Sequence, residues 1–186
     1  MAATMRINRR IGAAGAPTNI NVSAAGVKLT VDDSNVGTTP LDIPASGAVV
    51  NCSIPASLAL ECTAATGSVI SNKRFSFNGV MPTGFGFFMN TEGTASNPTS
   101  TTYAQVVAAP AGATTTISAS SLGTANYVWM GGGVANTTTQ YDSTSGAVIA
   151  AGIVGKWCKV LVAIASTATD VGSVTVPSLV LSYDEA

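Results

Sequence analysis

Hydrophobic and polar residues alternate in short runs along most of this chain. The alternation is regular at residues 19–22 (NINV), 27–31 (VKLTV) and 58–62 (LALEC). Successive side chains of a β-strand point to opposite faces, so alternation of this kind predicts half-buried strands. Polar segments rich in Gly, Ser, Thr and Asn separate the runs, as turns do in a sandwich or barrel. Further strands are predicted at residues 103–108, 114–119, 127–130, 148–154, 157–165 and 173–182.

Helix signals are weak throughout the chain. No window shows a sustained 3.6-residue periodicity, and Gly or β-branched residues interrupt every Ala-rich run. The Asn78-Gly79 pair within residues 74–81 predicts a hairpin, because both central residues of a type I′ turn need positive φ. We therefore predict an all-β fold, an antiparallel, jelly-roll-like β-sandwich. A chain of 186 residues is expected to form one such domain, here residues 18–186.

The first 17 residues differ from the rest of the chain. They contain Arg6, Arg9 and Arg10, three of the eight basic residues, followed by a run of Gly and Ala that ends at Pro17. Small residues and proline ahead of the first periodic segment indicate a boundary, so we predict a flexible basic arm at residues 1–17. The arm is either a disordered terminus or a segment whose three arginines dock onto an acidic neighbour or nucleic acid.

Aromatic residues are concentrated in one part of the chain, because all five phenylalanines lie between residues 75 and 88. Side chains of the same parity share a sheet face, which pairs Phe75 with Phe77 and Phe85 with Phe87. Two interpretations follow: core packing, or an apolar patch that docks a partner subunit. The candidate assembly interface consists of Phe75, Phe77, Phe85, Phe87 and Phe88.

Charge is scarce in this protein. Charged residues make up 9% of the chain and the formal net charge is −1, whereas typical domains carry about 25% charged residues. A nearly neutral protein has little repulsion between its copies, so assembly is expected. A nucleic-acid-binding domain would show a basic excess, which makes nucleic acid an improbable partner. The most apolar stretch, residues 146–166, is interrupted by Lys156 and Lys159 and predicts two adjacent buried strands rather than a membrane-spanning helix.

The sequence contains no motif for catalysis or metal binding. Histidine is absent, which excludes the Ser-His-Asp and Cys-His arrangements and zinc sites of the Cys₂His₂ kind. No P-loop occurs, and residues 32–43 lack the ligand pattern of a calcium loop. We therefore expect no catalytic, cofactor or metal site, and a non-enzymatic protein. A hydrolase that uses only carboxylates is the remaining enzymatic alternative.

The cysteines bear on the compartment in which the protein folds. Cys52, Cys62 and Cys158 make an odd number, and the first twenty residues contain no apolar run that would serve as a signal peptide. Free thiols and folding in a reducing cytoplasm are expected, with a Cys52–Cys62 disulfide as the alternative.

In composition and layout over residues 18–186, the chain resembles phage virion structural proteins, such as capsid decoration (cement) proteins or single jelly-roll minor capsid proteins. The resemblance implies a non-enzymatic trimer bound to a capsid lattice, with a major capsid protein as partner and the virion as location. The alternative is a fimbrial, adhesin-like or phage fibre β-sandwich that binds a receptor or glycan. In that case Tyr127, Trp129 and Tyr141 are candidates for a sugar-binding platform.

Overall fold

The structure, a computed structural model, describes residues 2–11, 18–30, 41–44, 50–53, 55–78, 82–91, 116–118, 126–131, 139–168 and 178–186. These residues form β-strands and connecting segments without any helix, as predicted, but residues 27–30 of the alternating run 27–31 are not in a strand. None of the described segments therefore provides a helix able to cross a membrane. The strands are β1 (Thr4–Ile11), β2 (Thr18–Asn21), β3 (Val50–Cys52), β4 (Ala56–Ala64), β5 (Val69–Asn78), β6 (Phe85–Thr91), β7 (Thr116–Ser118), β8 (Asn126–Gly131), β9 (Thr139–Asp142), β10 (Gly146–Ala147), β11 (Gly152–Ala165) and β12 (Ser178–Glu185).

The strands form two antiparallel sheets. The larger sheet has eight strands in the order β2-β1-β4-β11-β6-β8-β7, with β3 also paired to β11. In the four-stranded sheet, β5 lies between β10 and β12 and also pairs with β9. The predicted 74–81 hairpin is not formed by these strands, because β5 and the next strand, β6, belong to different sheets.

Strand β11 organises the larger sheet. It pairs with β6 along one edge, and along the other edge with β4 and then β3, which lie one after the other with Pro55 between them. Proline has no backbone N–H to contribute to a ladder, so the junction between β3 and β4 suits it. Two separate strands were predicted at residues 148–154 and 157–165. Instead, residues 152–165 form one strand, and a bulge interrupts its pairing with β4 between Val154 and Cys158.

Both faces of β11 are buried. Cys158, Val160, Val162 and Ile164 point into the main hydrophobic cluster. Residues of the opposite parity are buried as well, namely Trp157, Lys159, Leu161 and Ala163. Strands covered on both faces have nearly continuous apolar sequences, which explains why this run does not alternate.

The main hydrophobic cluster contains residues of both sheets. Phe75 of β5 and Tyr141 of β9 come from the smaller sheet, whereas Leu58, Phe87 and Val160 come from the larger one. Burying one large apolar side chain contributes about 1.5–3 kcal/mol, so this shared cluster is a major source of stability.

Four of the five phenylalanines are buried and do not form an exposed patch. Phe75 is fully buried, and Phe85, Phe87 and Phe88 expose 9%, 4% and 3% of their surface. β6 pairs with the central strand β11, and its Phe85 and Phe87 lie in the main hydrophobic cluster with residues of the smaller sheet. The candidate assembly interface is therefore wrong for these four residues, while the side chain of Phe77 lies outside the described part.

The predicted flexible arm is also wrong for residues 4–11. Residues 4–11 form β1, which lies between β2 and β4 and pairs with both. Met5 and Ile7 pack against the two hydrophobic clusters, so the segment is part of the folded sheet. Residues 12–17 lie outside the described residues.

The cysteines Cys52, Cys62 and Cys158 are all free and buried, as expected for reduced thiols. Burial raises the pKa of Cys52 to about 12 and raises that of Cys158 well above its usual value. The thiolate, which is the reactive form, is thus suppressed at neutral pH.

We expect thiol titration of the native protein to be slow and titration after denaturation without reductant to give three thiols. Burial limits reagent access, and the raised pKa values suppress the thiolate. A value of one thiol after denaturation would reveal a disulfide and contradict this assignment.

Candidate functional site

A buried ion pair joins the strands of the smaller sheet. Lys73 of β5 and Asp142 of β9 are register partners, and the distance from Lys73 Nζ to Asp142 Oδ2 is 3.1 Å. The two side chains expose 1% and 0% of their surface. A buried charge is tolerated only when it is paired and hydrogen-bonded, so the surrounding donors decide whether this pair is stable.

Asp142 accepts hydrogen bonds on both of its oxygens. Oδ1 accepts from the Thr144 backbone N–H at 2.8 Å and from its hydroxyl at 2.6 Å, and Oδ2 accepts from the Lys156 backbone N–H at 2.8 Å. Lys73 Nζ also donates to the Thr144 carbonyl at 2.9 Å. Burial alone raises the pKa of Asp142, but the hydrogen bonds from Thr144, Lys156 and Lys73 outweigh it and lower the pKa to about 2. The Asp142 carboxyl is therefore ionised at neutral pH.

The bulge in β11 is shaped to receive this carboxylate. Gly155 has a φ of +79°, a conformation that L side chains rarely adopt. A Cβ atom at Gly155 would overlap Asp142 Oδ2 and lie 2.5 Å from Lys73 Cε. Only glycine allows the β11 backbone to approach the ion pair this closely.

A cavity of about 330 Å³ lies beside the ion pair. Its lining consists of Ile70, Lys73 and residues 144–155. Among these described residues, Lys73 and no other carries a charge, and that charge is compensated by Asp142. The accessible wall of the cavity thus has polar and apolar surface in about equal share.

The surface next to the cavity contains no charged residue of its own, and the exposed carboxylate of Glu185 binds Ser68 at its edge. Gly67 N–H donates to the Val148 carbonyl at 3.0 Å and Val148 N–H donates to the Ser68 carbonyl at 2.9 Å, so two segments lie side by side. We call residues 63–68 (TAATGS) and 143–151 (STSGAVIAA) the neutral patch. Most of its residues are exposed, and Ile149 exposes 82% of its surface, far more than a large apolar side chain usually does.

The three arginines of the predicted docking arm are engaged within the fold, so that assignment is corrected. Arg6 forms an ion pair with Glu61 of β4. Arg9 is fully buried and donates from Nη1 to the Lys28 carbonyl at 2.6 Å. Arg10 donates from Nε to Asn19 Oδ1 at 3.0 Å, and its guanidinium lies 4.4 Å from the centre of the Trp157 ring.

The proposed sugar-binding platform is not supported at the one member whose side chain is described. Tyr141 exposes 3% of its surface and stacks on Phe75 with ring centroids 4.9 Å apart, which makes it a core residue. The side chains of Tyr127 and Trp129 lie outside the described part.

Sequence reasoning missed the ion pair and the neutral patch. Lys73 and Asp142 are 69 positions apart, and no local pattern links them. Two weak signals were present: Asp142 followed by Ser143 and Thr144, which suits an Asx-type turn, and the Gly155-Lys156 interruption of an apolar run.

No protein-family model matches this chain, and neither a search of curated proteins nor one of solved structures found a match. Within the part that the structure describes, no three His, Cys, Asp or Glu residues group together as a metal site requires. The functional proposal therefore rests on the geometry of this chain itself.

We expect Asp142→Asn to lower the free energy of unfolding by about 3–5 kcal/mol, because it leaves the Lys73 ammonium buried without a counter-charge. Urea unfolding measures this change. Asp184→Asn is the matched control, since Asp184 pairs with Arg74 at the surface and a screened pair contributes little. Equal effects of the two substitutions would contradict a special role for Asp142.

The free energy of unfolding of Asp142→Asn is also expected to depend on pH differently from that of the wild type. Because the pKa of Asp142 is lowered in the fold, its stabilising contribution is complete above the unfolded value of about 3.9 and is lost as pH falls through about 2. The free energy of unfolding of Asp142→Asn is therefore expected to fall less on acidification from pH 5 to pH 2 than that of the wild type.

We also expect Gly155→Ala to destabilise the protein more than Gly26→Ala. Both glycines have positive φ, at +79° and +73°, so each substitution carries a backbone cost of about 1–2 kcal/mol. Only the new Cβ at position 155 meets neighbours, namely Asp142 and Lys73, whereas position 26 has nothing within 4 Å. Thermal unfolding of both variants tests the difference, and similar melting temperatures would show that the bulge can move away from the ion pair.

Proposed function

We propose that this chain is a non-enzymatic structural protein of a virus particle, a capsid decoration or minor capsid protein that assembles with its own copies and with a major capsid protein. The observation that carries the proposal is the neutral patch, an exposed surface around Ile149 whose own residues carry no charge. The cores of protein interfaces are depleted of charged residues, and apolar patches on a surface indicate sites of association.

Three ion pairs of the described residues support the same proposal by their positions. Arg6–Glu61, Lys73–Asp142 and Arg74–Asp184 are pairs within the chain, which join neighbouring strands. Charged groups that already have partners in the fold add little attraction toward another molecule. Assembly then relies on apolar burial and on backbone hydrogen bonds.

We further propose that the two sheets pack face to face as a jelly-roll-like sandwich. Support comes from the main cluster, in which Phe75 and Tyr141 of one sheet meet Phe87 and Val160 of the other. A second cluster joins Leu60 and Cys62 of β4 to Ile70 of β5 in the same way. Such a body is rigid enough to present the neutral patch in one geometry.

Assembly of the purified protein is expected to depend little on salt. Raising the salt from about 0.1 M to about 1 M shortens the Debye length from about 10 Å to about 3 Å, which weakens contacts between charges but not apolar burial. Sedimentation velocity at both concentrations measures the assembled fraction. An assembly that dissolves at moderate salt would contradict the mechanism and point to ionic contacts.

The virion assignment itself needs a separate measurement. Purified virus particles from the source of this sequence should contain the chain in a fixed copy number relative to the major capsid protein, as quantified by mass spectrometry. Particles that lack the chain would overturn the virion proposal.

A further inference from the structure

β12 is the longest of the strands that end the two sheets. It pairs with β5 along one side, and no described strand pairs with its other side. The other terminal strands, β2, β7 and β10, have four, three and two residues, whereas β12 has eight. An unpaired edge presents backbone N–H and C=O groups to which another strand can bond, and short edge strands are one way in which proteins prevent this.

The first part of β12 is accessible at this edge. Ser178 and Val180 are exposed, whereas Leu179 and Leu181 are partly buried against the main hydrophobic cluster. The two leucines therefore lie on the inner face of the sheet and Val180 on its outer face, as the alternation of a strand requires. Because the leucines are only partly buried, they leave apolar surface at the edge that one further strand would cover.

The features that protect a sheet edge lie in the second part of β12. The pairing with β5 is irregular between Ser182 and Asp184, and the last two residues of the strand are acidic. Bulges and charged side chains both hinder pairing with another strand. Residues 178–182 (SLVLS) contain no charge, no proline and no register shift. We call this segment the SLVLS edge.

We propose that the SLVLS edge pairs with the SLVLS edge of a second copy, antiparallel and about a two-fold axis at Val180. The segment is a palindrome, so this register places valine opposite valine, leucine opposite leucine and serine opposite serine. A two-fold contact uses the same surface of both chains, which must therefore be complementary to itself. The palindrome meets this condition, and its leucines continue the inner apolar face across the axis. The proposal rests on the assembly function above and names the partner and the contact.

The acidic end of β12 favours the antiparallel arrangement. Asp184 lies four residues from the axis, so the two Asp184 residues of a dimer would be about 27 Å apart along the strands. This separation exceeds the Debye length of about 10 Å at 0.1 M salt, so their repulsion is screened. Parallel pairing would instead place them on neighbouring strands about 5 Å apart.

The chemistry of β12 also argues against nucleic acid and anionic membranes as occupants of this edge. Both are recognised through exposed Lys and Arg, and residues 178–185 contain neither. Pairing of two edges uses each edge once and joins the two smaller sheets into one, so the contact closes as a dimer. The resemblance described above implies a trimer, which this contact does not produce. β10 of the neutral patch lies on the other side of β5, which leaves the patch accessible to a capsid protein.

The test measures dimerisation of the full chain by sedimentation velocity across a concentration series. Val180→Asp and Val180→Lys should each weaken the dimer about tenfold, because each places two like charges directly opposite one another at the axis. An equimolar mixture of the two variants should restore the dimer, since the proposed register then pairs opposite charges. Ile149→Asp is the matched control, because Ile149 is also an exposed large apolar residue but lies in the neutral patch. Its dimer should match that of the wild type.

Three results of this experiment would overturn the proposal. They are a wild type that is monomeric or trimeric at every concentration, a mixture that dimerises no better than its components, and a dimer that Ile149→Asp weakens as much as Val180→Asp. Circular dichroism of each variant confirms that the fold is retained.

Hydrogen exchange of the wild type gives a reading that needs no substitution. Backbone amides within the SLVLS edge should become more protected as the protein concentration rises and the dimer forms, because the new ladder uses them. Unchanged protection in a sample that dimerises would show that the contact lies elsewhere and would also overturn the proposal. None of these results decides the virion proposal, which fails when purified particles lack the chain.

Discussion

The carboxylate of Asp142 is the constraint on which this part of the structure depends. It lies on β9 and contacts Lys73 of β5 within the smaller sheet, while the Lys156 N–H brings in β11 of the larger sheet. A charge buried in this way needs an opposite charge and hydrogen-bond donors around it, so three strands must meet at one point. The apolar cluster shared by the sheets contributes most of the buried surface, but apolar contacts are not directional. The ion pair and its hydrogen bonds specify the relative position of β9 and β11.

Local sequence patterns were sufficient for the fold class and insufficient for the role of β1. Alternation along residues 58–62 predicted β4, and the lack of helical periodicity agrees with the helix-free described residues. Residues 4–11 appeared to be an arm because their arginines and asparagine look solvated when read alone. Two of their partners, Glu61 and Trp157, are at least 50 positions away, and long-range contacts of this kind leave no local signal.

The same limit explains why the phenylalanines were open to two interpretations. Parity correctly places Phe85 and Phe87 on one face, yet parity cannot say whether that face meets solvent or another layer. Phe88 has the opposite parity and is buried too, as is Leu161 of the neighbouring β11. Continuous apolar runs are typical of a sheet that is covered on both faces. They can be interpreted in this way only once the central strand of the sheet is known.

The bulge in β11 has a consequence for how this gene can vary in length. Between the pairs Val154–Leu60 and Cys158–Leu58, β11 has three residues where β4 has only Ala59, an excess of two. Because side chains alternate with a period of two, an excess of two returns every later residue to its original face. Loss of a single codon here would exchange the faces of the following run and turn Lys159 toward the main cluster. Viable insertions and deletions at this position are therefore restricted to even numbers of residues.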